Sequence, residues 1–492
     1  MDRRQWLVVV AVDLAMFLAA LDSTVIGTAM PTVVASLGGL DLFSWTFSVY
    51  LLTSTVALPI FGSLSDRFGR RSMFVTSVWI FTAGSALCGL ATSMVFLIAA
   101  RAIQGVGAGG SFALAQAVFG EIFPPRERGR MQGYLAAVWG ISALVGPLIG
   151  GVIVEHLGWR WTFFVNVPVG IAANYMLLVG LTGLTAAGTH RAIDYLGAGC
   201  LVGSVLALML SLLEIGRAHG PAGTRAVLGL ACALALILLF LAVERRVAQP
   251  IVPLALFRNR TFSTTNVCLF LSGLAMFGAI SFIPLFVQAV LGGTAIQAGS
   301  VLTPTSLCWV AGSTIGGRLI NRLGYRTLAV AGMVCLTTGY FFFSRLGPWS
   351  SLRHAAASGM ILGLGMGMST VTTVVATQSA APKGQIGVVS SLPFFFRNIG
   401  ATIGVAIMGT ILNARMTRAG GGPLHLGAGE GVLQTLSDAL RGQLADGIRA
   451  AFLFGLAAVA CGILASLLVP NLSPTRPGLS HVAPTTPGGE GG

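Results

Sequence analysis

Charge is scarce in this chain: 9% of its 492 residues are ionisable, 29 basic and 15 acidic, where a soluble domain averages about 25%. A soluble fold of this length needs far more ionised surface, so that class is excluded. The 55% of hydrophobic residues excludes disorder as well. Lysine is nearly missing. Lys383 is the only one and lies in Pro-Lys-Gly-Gln, so the G-x-x-x-x-G-K-S/T phosphate loop cannot exist and ATP does not drive the protein directly. The seven cysteines include no CxxC pair, and no Cys/His group has metal-ligand spacing. The cysteines read as small packing residues. The six histidines fall in loops or at span ends, which leaves no histidine proton relay inside a membrane. No metal and no cofactor are expected. The first apolar run has no small-residue cleavage site and reads as a retained helix, not a signal peptide.

What is present is apolar sequence in long runs. Fourteen of spanning length occur, at roughly 6–30, 43–64, 73–92, 94–119, 132–155, 160–184, 194–215, 222–243, 262–290, 295–317, 326–346, 352–378, 388–412 and 448–470. At about 22 residues per crossing they need about 308 residues, which the composition supplies. The fold class is an all-α polytopic membrane protein. The net charge of +14 reflects arginines clustered in short loops, such as Arg67-Arg70-Arg71, Arg126-Arg128-Arg130 and Arg318-Arg322-Arg326, on one side of the membrane. The positive-inside rule makes that side cytoplasmic and places both termini there, in a plasma (bacterial inner) membrane. The same placement removes nucleic acid as a partner.

An internal duplication organises the chain. Gly62-Ser-Leu-Ser-Asp66-Arg67-Phe-Gly69-Arg70-Arg71 lines up with Gly317-Arg-Leu-Ile-Asn321-Arg322-Leu-Gly324-Tyr-Arg326 at an offset of 255. Gly105-x-Gly107-x-Gly109 lines up with Gly363-x-Gly365-x-Gly367 at 258, and Gly146 and Gly150 with Gly400 and Gly404 at 254. Each match relates span n to span n + 8. The expected domains are a six-helix half at 1–185, two added helices at 186–250, and a second six-helix half at 251–472. That second half carries an external loop at 414–447, which turns amphipathic near Val432 to Ile448 and reads as a surface helix. The Pro- and Gly-rich tail at 473–492 is expected to be disordered and cytoplasmic.

The loop from Gly62 to Arg71 places one acid among three arginines between turn-permitting glycines. It is either a plain positive-inside loop or a gate latch in which Asp66, with Arg67, Arg70 and Arg71, forms a bond that one conformation makes and another breaks. Asn321 replaces the acid in the copy, so only the first half is expected to hold a charged latch. This segment resembles the signature loop of the major facilitator superfamily. Leu97-x3-Arg101-x2-Gln104-Gly105-x-Gly107 resembles its fourth-span motif, and Gly133-x8-Ser142-x3-Gly146-Pro147-x2-Gly150-Gly151 its antiporter motif, with Ser142 standing where that motif has glycine. Leu21-Asp22-Ser-Thr24-x4-Ala29-Met-Pro31 is similar to the first-span motif of the fourteen-span drug:proton antiporters, with Gly27 in place of the usual asparagine. Trp159-Arg160-Trp161 and Asn166-x-Pro168-x-Gly170 look like the same branch. The resemblance covers all fourteen spans. It implies the major facilitator fold, no enzymatic activity, and proton-coupled export of lipophilic, cationic drugs, the multidrug efflux that underlies antibiotic resistance.

The motif glycines of the fifth span and Pro147 either form a structural kink or, as the resemblance implies for antiporters, seal against the tenth span. Buried acids carry the sharper inference, because each costs at least about 2.5 kcal/mol inside a membrane. Only Asp13 and Asp22 qualify, nine residues apart and so about 180° apart on a straight helix. Asp22 and Arg101 lie at matching depths below the external ends of their spans and are expected to approach each other, directly or through Gln104 or water. Either they couple proton to substrate or they form a static pair; Asp13 is a second coupling group or an ordinary satisfied residue. Asp22, Gln104, Asn166 and Arg397 are the expected cavity residues, although Arg397 is equally readable as paired with backbone carbonyls. Phe17, Trp139, Phe277, Phe286, Met366 and Met368 read as packing. The expected partners are a small-molecule substrate, protons and the lipid bilayer, with the protein acting as a monomer. The alternative on the same fold is export of one antibiotic, siderophore or lipid intermediate; a non-transporting receptor or channel fits the duplication less well.

Overall fold

Long uncharged runs leave the backbone no hydrogen-bond partner in lipid but itself, and the chain accordingly forms helices. The computed structural model describes residues 3–39, 42–182, 194–217, 223–247, 250–382, 384–418 and 438–471, among which there is no strand. The first half comprises α1 (Arg3–Leu37), α2 (Phe43–Phe68), α3 (Arg70–Gly89), α4 (Met94–Ile122), α5 (Pro125–His156), the single turn α6 (Trp161–Phe164) and α7 (Asn166–Gly180). Two helices follow, α8 (Tyr195–Arg217) and α9 (Thr224–Glu244), and then a 3-10 turn at Leu254–Arg258. The second half comprises α10 (Arg260–Leu285), α11 (Ala295–Phe343), α12 (Leu352–Ser379), α13 (Ile386–Arg418) and α14 (Asp438–Leu467). Polar residues at the loop ends start several of them: Ser93 accepts from the Phe96 amide at α4, and Thr294 and Gln297 form a reciprocal capping box at α11.

Twelve of these helices are long and apolar enough to cross a membrane, or thirteen if α5, bent by 42° between Pro125–Gly146 and Leu148–His156, is one span. α11 is divided at the non-helical Gly324 (φ 80°), between the tenth and eleventh apolar runs, as Gly69 divides α2 from α3. The boundaries differ from the sequence reading in three places. The sixth run is broken at Val165 into α6 and α7. The fifth starts at Pro125, because proline suits a first helical turn. Residues 438–447, expected within a loop with a surface helix, are instead the opening turns of α14. Residues 414–418, also expected in that loop, are the last turn of α13, and 419–437, the tail from 472 onward and Lys383 lie outside the described residues.

The duplication is visible in the backbone. Gly69 and Gly324, 255 residues apart, both hold positive φ (93° and 80°) at the turn that ends the repeated motif. The apolar core has two main clusters: Phe74, Phe81 and Phe119 of the first half share one with Val388 and Phe394 of α13, and Phe286, Tyr340 and Phe452 belong to the other, within the second half. The halves meet along two seams, α2 against α13 and α5 against α11. The added helices are central only in the sequence. In space α8 lies beside the first seam, touching both α2 and α13, and α9 packs outside it on α8. The most apolar window of α9 is only 17% buried within the protein, as befits a lipid-facing helix.

Candidate functional site

Asp22 occupies the middle of α1 and is 3% exposed, and Arg101 on α4 is 1% exposed. The structure brings them together: Arg101 Nη1 donates to Asp22 Oδ2 at 2.5 Å. Gln104, one helical turn beyond Arg101, donates to Asp22 Oδ1 at 2.8 Å and accepts from Arg101 Nη1 at 2.8 Å. Asn166, brought in by the break between α6 and α7, donates to Asp22 Oδ1 at 3.4 Å and to Ser85 Oγ at 3.0 Å. The guanidinium also lies over the Tyr50 ring, 4.1 Å from its centroid, and its Nε donates to the Thr46 carbonyl at 3.4 Å. Both carboxylate oxygens and both charges are thus satisfied inside the first half, which is the condition for keeping an ion pair out of water. The Asp22 carboxylate becomes accessible only if this cluster parts.

The other candidates are distributed differently. Asp13 is half-buried and outside the cluster, with Oδ1 lacking a hydrogen-bond partner among the described residues. Arg397 stacks on Phe394 at 4.8 Å, and its Nε is buried with no hydrogen-bond partner among the described residues. Phe394 in turn meets Phe112 of α4 edge-on at 4.6 Å, so this part of α13 faces the first half. Phe286 and Met366 are buried in the second core, and Trp139 packs on Phe112.

At the end of the bundle that carries Asp66, the two halves are shut against each other. Asp66 accepts from the backbone amides of Gly387 (2.9 Å) and Val388 (3.0 Å), N–H groups in the first turn of α13, where the helix itself offers no acceptor. Arg70 is the arginine that pairs with Asp66; its Nε also donates to Glu121 Oε2 at 2.8 Å, and its Nη1 bonds Ser65. Arg71 is exposed and Arg67 half-buried. Backbones touch at both seams. A methyl on Gly62 would lie 2.8 Å from the Gly387 carbonyl oxygen, and one on Gly129 2.5 Å from that of Gly317. The duplication relates these two contacts, since 62 corresponds to 317 and 129 to 387. Asn321, the counterpart of Asp66, donates to the Arg126 carbonyl at 2.9 Å. Gln378 of α12 reaches the Gln116 carbonyl of α4 at 3.0 Å.

The fifth-span motif divides its contacts. Gly133 lies against Thr314 of α11, the tenth-span contact expected of a seal. Gly146 and Gly150 do not: they fit against Thr24 and Val25 of α1, and Thr24 donates to the Ser142 carbonyl at 3.1 Å. Nothing approaches Gly151, and at Pro147 the helix bends. Of the two readings, the bend at Pro147 matches the kink, and the contact with the tenth span is confined to Gly133 among the motif glycines. The seam with α11 runs through Gly129, Gly133 and Gly140, and the later glycines hold α5 to α1. Gly129, Gly387, Glu121 and Gln116 went unrecognised in the sequence.

Two duplicated helical halves, a buried charge cluster within one of them and a closure made at one end are the anatomy of a membrane transporter. Residues 12–405 match the Major Facilitator Superfamily, and the chain belongs to that family. It is 38% identical over 413 residues to the Multidrug transporter protein MdtP of Bacillus subtilis, covering 84% of this chain and 76% of that one. It is 35% identical to Multidrug resistance protein 3 of the same organism (82% and 79% covered) and 32% identical to Efflux pump FUS6 of Gibberella fujikuroi (85% and 76%). The human organic anion transporter MFSD10 (TETRAN) shares the fold, with a TM-score of 0.66 at 14% identity over 95% of this chain and 100% of that one. The protein is a transporter and not an enzyme.

Proposed function

We propose that the protein is a proton-coupled exporter of lipophilic, cationic drugs in the fourteen-span branch of the family. On this reading it works as a monomer in the plasma membrane with both termini in the cytoplasm, and α11 supplies two crossings, one on each side of Gly324. The observation that carries the reading is the buried cluster of Asp22, Arg101, Gln104 and Asn166, in a chain whose relatives include named multidrug transporters. The end closed by Asp66 is then cytoplasmic, and the structure corresponds to the outward-facing state with Asp22 deprotonated and paired. Protonation of Asp22 from outside cancels its charge and releases Arg101, and the latch at Asp66 opens as the halves rock. A cation arriving from the cytoplasm meets the carboxylate as the proton leaves it. One proton traded for one monovalent cation moves no net charge, so the pH gradient alone drives that exchange. Asp13 is the remaining acid on the first span for a second proton.

The test is ethidium uptake into inverted vesicles under an imposed pH gradient. Asp22→Asn should abolish pH-driven uptake, whereas Asp13→Asn should leave monovalent transport intact. Retained pH-driven uptake in Asp22→Asn removes the coupling assignment. A second reading, export of one specific antibiotic, siderophore or lipid intermediate, is favoured by Arg397: among the described residues it has no acidic partner, and a cation so placed suits a solute other than a simple cation. Failure of ethidium to release protons from the purified protein would favour it.

A further inference from the structure

The lipid-facing side of α9 runs into a groove at the end of that helix. Leu241 and Arg245 form one wall, Leu254, Ala255, Phe257 and Arg258 of the 3-10 turn form the other, and the volume is about 550 Å³. Small-molecule sites span about 300–1,000 Å³. The turn is pinned in place. Buried Glu244 accepts from the Ile251 amide at 3.0 Å and the Val252 amide at 3.4 Å, which folds the chain back against the end of α9. Leu256 is buried, and Phe257 packs edge-on against Phe262 (5.2 Å) and Phe396 (6.0 Å). The groove is thus built by the fold, with both walls fixed.

Its chemistry changes with depth. Leu234, Leu238, Leu241 and Arg245 recur at helical spacing along one stripe of α9, and Leu234 and Leu238 are 59% and 57% exposed. About 16 Å of helix therefore offers an apolar track that ends in a guanidinium. Arg258 brings a second one from the 3-10 turn. Both arginines are exposed, and neither has a hydrogen bond or ion pair among the described residues. No acid lines the groove, because Glu244 is turned to the two amides. With α6 and α7 counted as one crossing, α9 is the eighth and ends on the same side as α2, so the two arginines sit at headgroup level on the Asp66 side.

We infer that this groove binds an anionic glycerophospholipid of the leaflet on the Asp66 side, with its phosphate between Arg245 and Arg258 and one acyl chain along Leu241, Leu238 and Leu234. A phosphate presents each guanidinium with the oxygen pair that its fork fits, and basic pockets between membrane helices suit such headgroups. A zwitterionic lipid is disfavoured, since its ammonium would meet two arginines and no acid. A free anion would have no use for the apolar track, which lies at acyl-chain depth. The bound lipid would touch both α9 and the turn that leads into α10, and so bridge the added helices and the second half.

Native mass spectrometry of the full-length protein, titrated in detergent with phosphatidylglycerol or phosphatidylcholine of identical chains, gives the affinity for the first lipid bound. Phosphatidylglycerol should bind more tightly, and Arg245→Ala and Arg258→Ala should each weaken it about five-fold, the loss expected for one arginine near a lipid phosphate. Arg246→Ala removes the same charge one residue away and outside the groove, so the affinity should stay at the wild-type value. Ala255→Trp fills the groove without altering a charge and should weaken binding as well. Equal binding of the two lipids, or a loss in Arg246→Ala that matches Arg245→Ala, overturns the inference in favour of general attraction to a basic surface. Competition by glycerol 3-phosphate as strong as by lysophosphatidylglycerol would make this a site for soluble phosphates and overturns it too. None of these readouts involves transport, so the inference stands or falls separately from the export assignment.

Discussion

Gly129→Ala tests whether the closed end is a conformational switch. The added methyl would lie 2.5 Å from the Gly317 carbonyl oxygen and 2.8 Å from its Cα. Both obstacles are backbone, so no rotamer change relieves the clash. Bringing the oxygen from 2.5 Å to the 3.4 Å of an ordinary contact requires α5 and α11 to part by about 0.9 Å at this point. Overpacking of this kind costs about 1–3 kcal/mol. The cost falls only on the conformation in which the two glycines touch, so the ratio of closed to open at this end should drop roughly 5- to 150-fold. Hydrogen exchange read by mass spectrometry measures it without introducing labels. Peptides covering Arg126–Met131 and the start of α13, whose Gly387 and Val388 amides are held by Asp66, should exchange faster. Gly151→Ala is the control, because nothing lies within 4 Å of that position, and its exchange should match wild type. Wild-type exchange and transport in Gly129→Ala would refute the view that backbone contact at this seam holds the end shut.

Three further outcomes follow from the same geometry. Asp66→Ala leaves two α13 amides and Arg70 without their shared acceptor, so exchange at Gly387 and Val388 should rise and drug transport should fall, while Arg71→Ala, altering an exposed side chain, should change neither. Arg70→Lys keeps the charge but loses the fork that reaches Asp66, Ser65 and Glu121 together; its transport rate should fall below that of wild type. Gln104→Leu removes a donor from Asp22 and an acceptor from Arg101 at once, and should lower thermal stability by about 1–3 kcal/mol in a detergent unfolding assay. An unchanged melting temperature would show that water replaces the amide.

Much of the fold was legible because the bilayer allows so few solutions. Charge-free runs of about 20 residues had to be helices, and three nearly equal offsets exposed the duplication. The approach of Asp22 to Arg101 was legible for a related reason: two opposite charges at equal depth in lipid have few other partners. Contacts that depend on which face a helix presents were less accessible. The glycines at 146 and 150 share one motif with Gly133 yet turn to α1 instead of α11, and the bend at 147 is what separates their directions. Asn166 reaches Asp22 because the sixth run breaks at Val165, a break that periodicity does not signal.

The sequence by itself determined that this chain lives in a membrane, that it is built twice, and that Asp22 and Arg101 lie at matching depths within their spans, since hydropathy, repetition and position along a run are properties of the linear chain. Only the tertiary structure decided that the Asp66 end is closed by backbone touching backbone, that Arg70 is the arginine that pairs with Asp66, and that Arg245 and Arg258 share one groove. Those features depend on how rigid helices are rotated and spaced against one another, and a rotation of one residue step, about 100°, exchanges a contact for a lipid-facing surface without changing any composition or pattern.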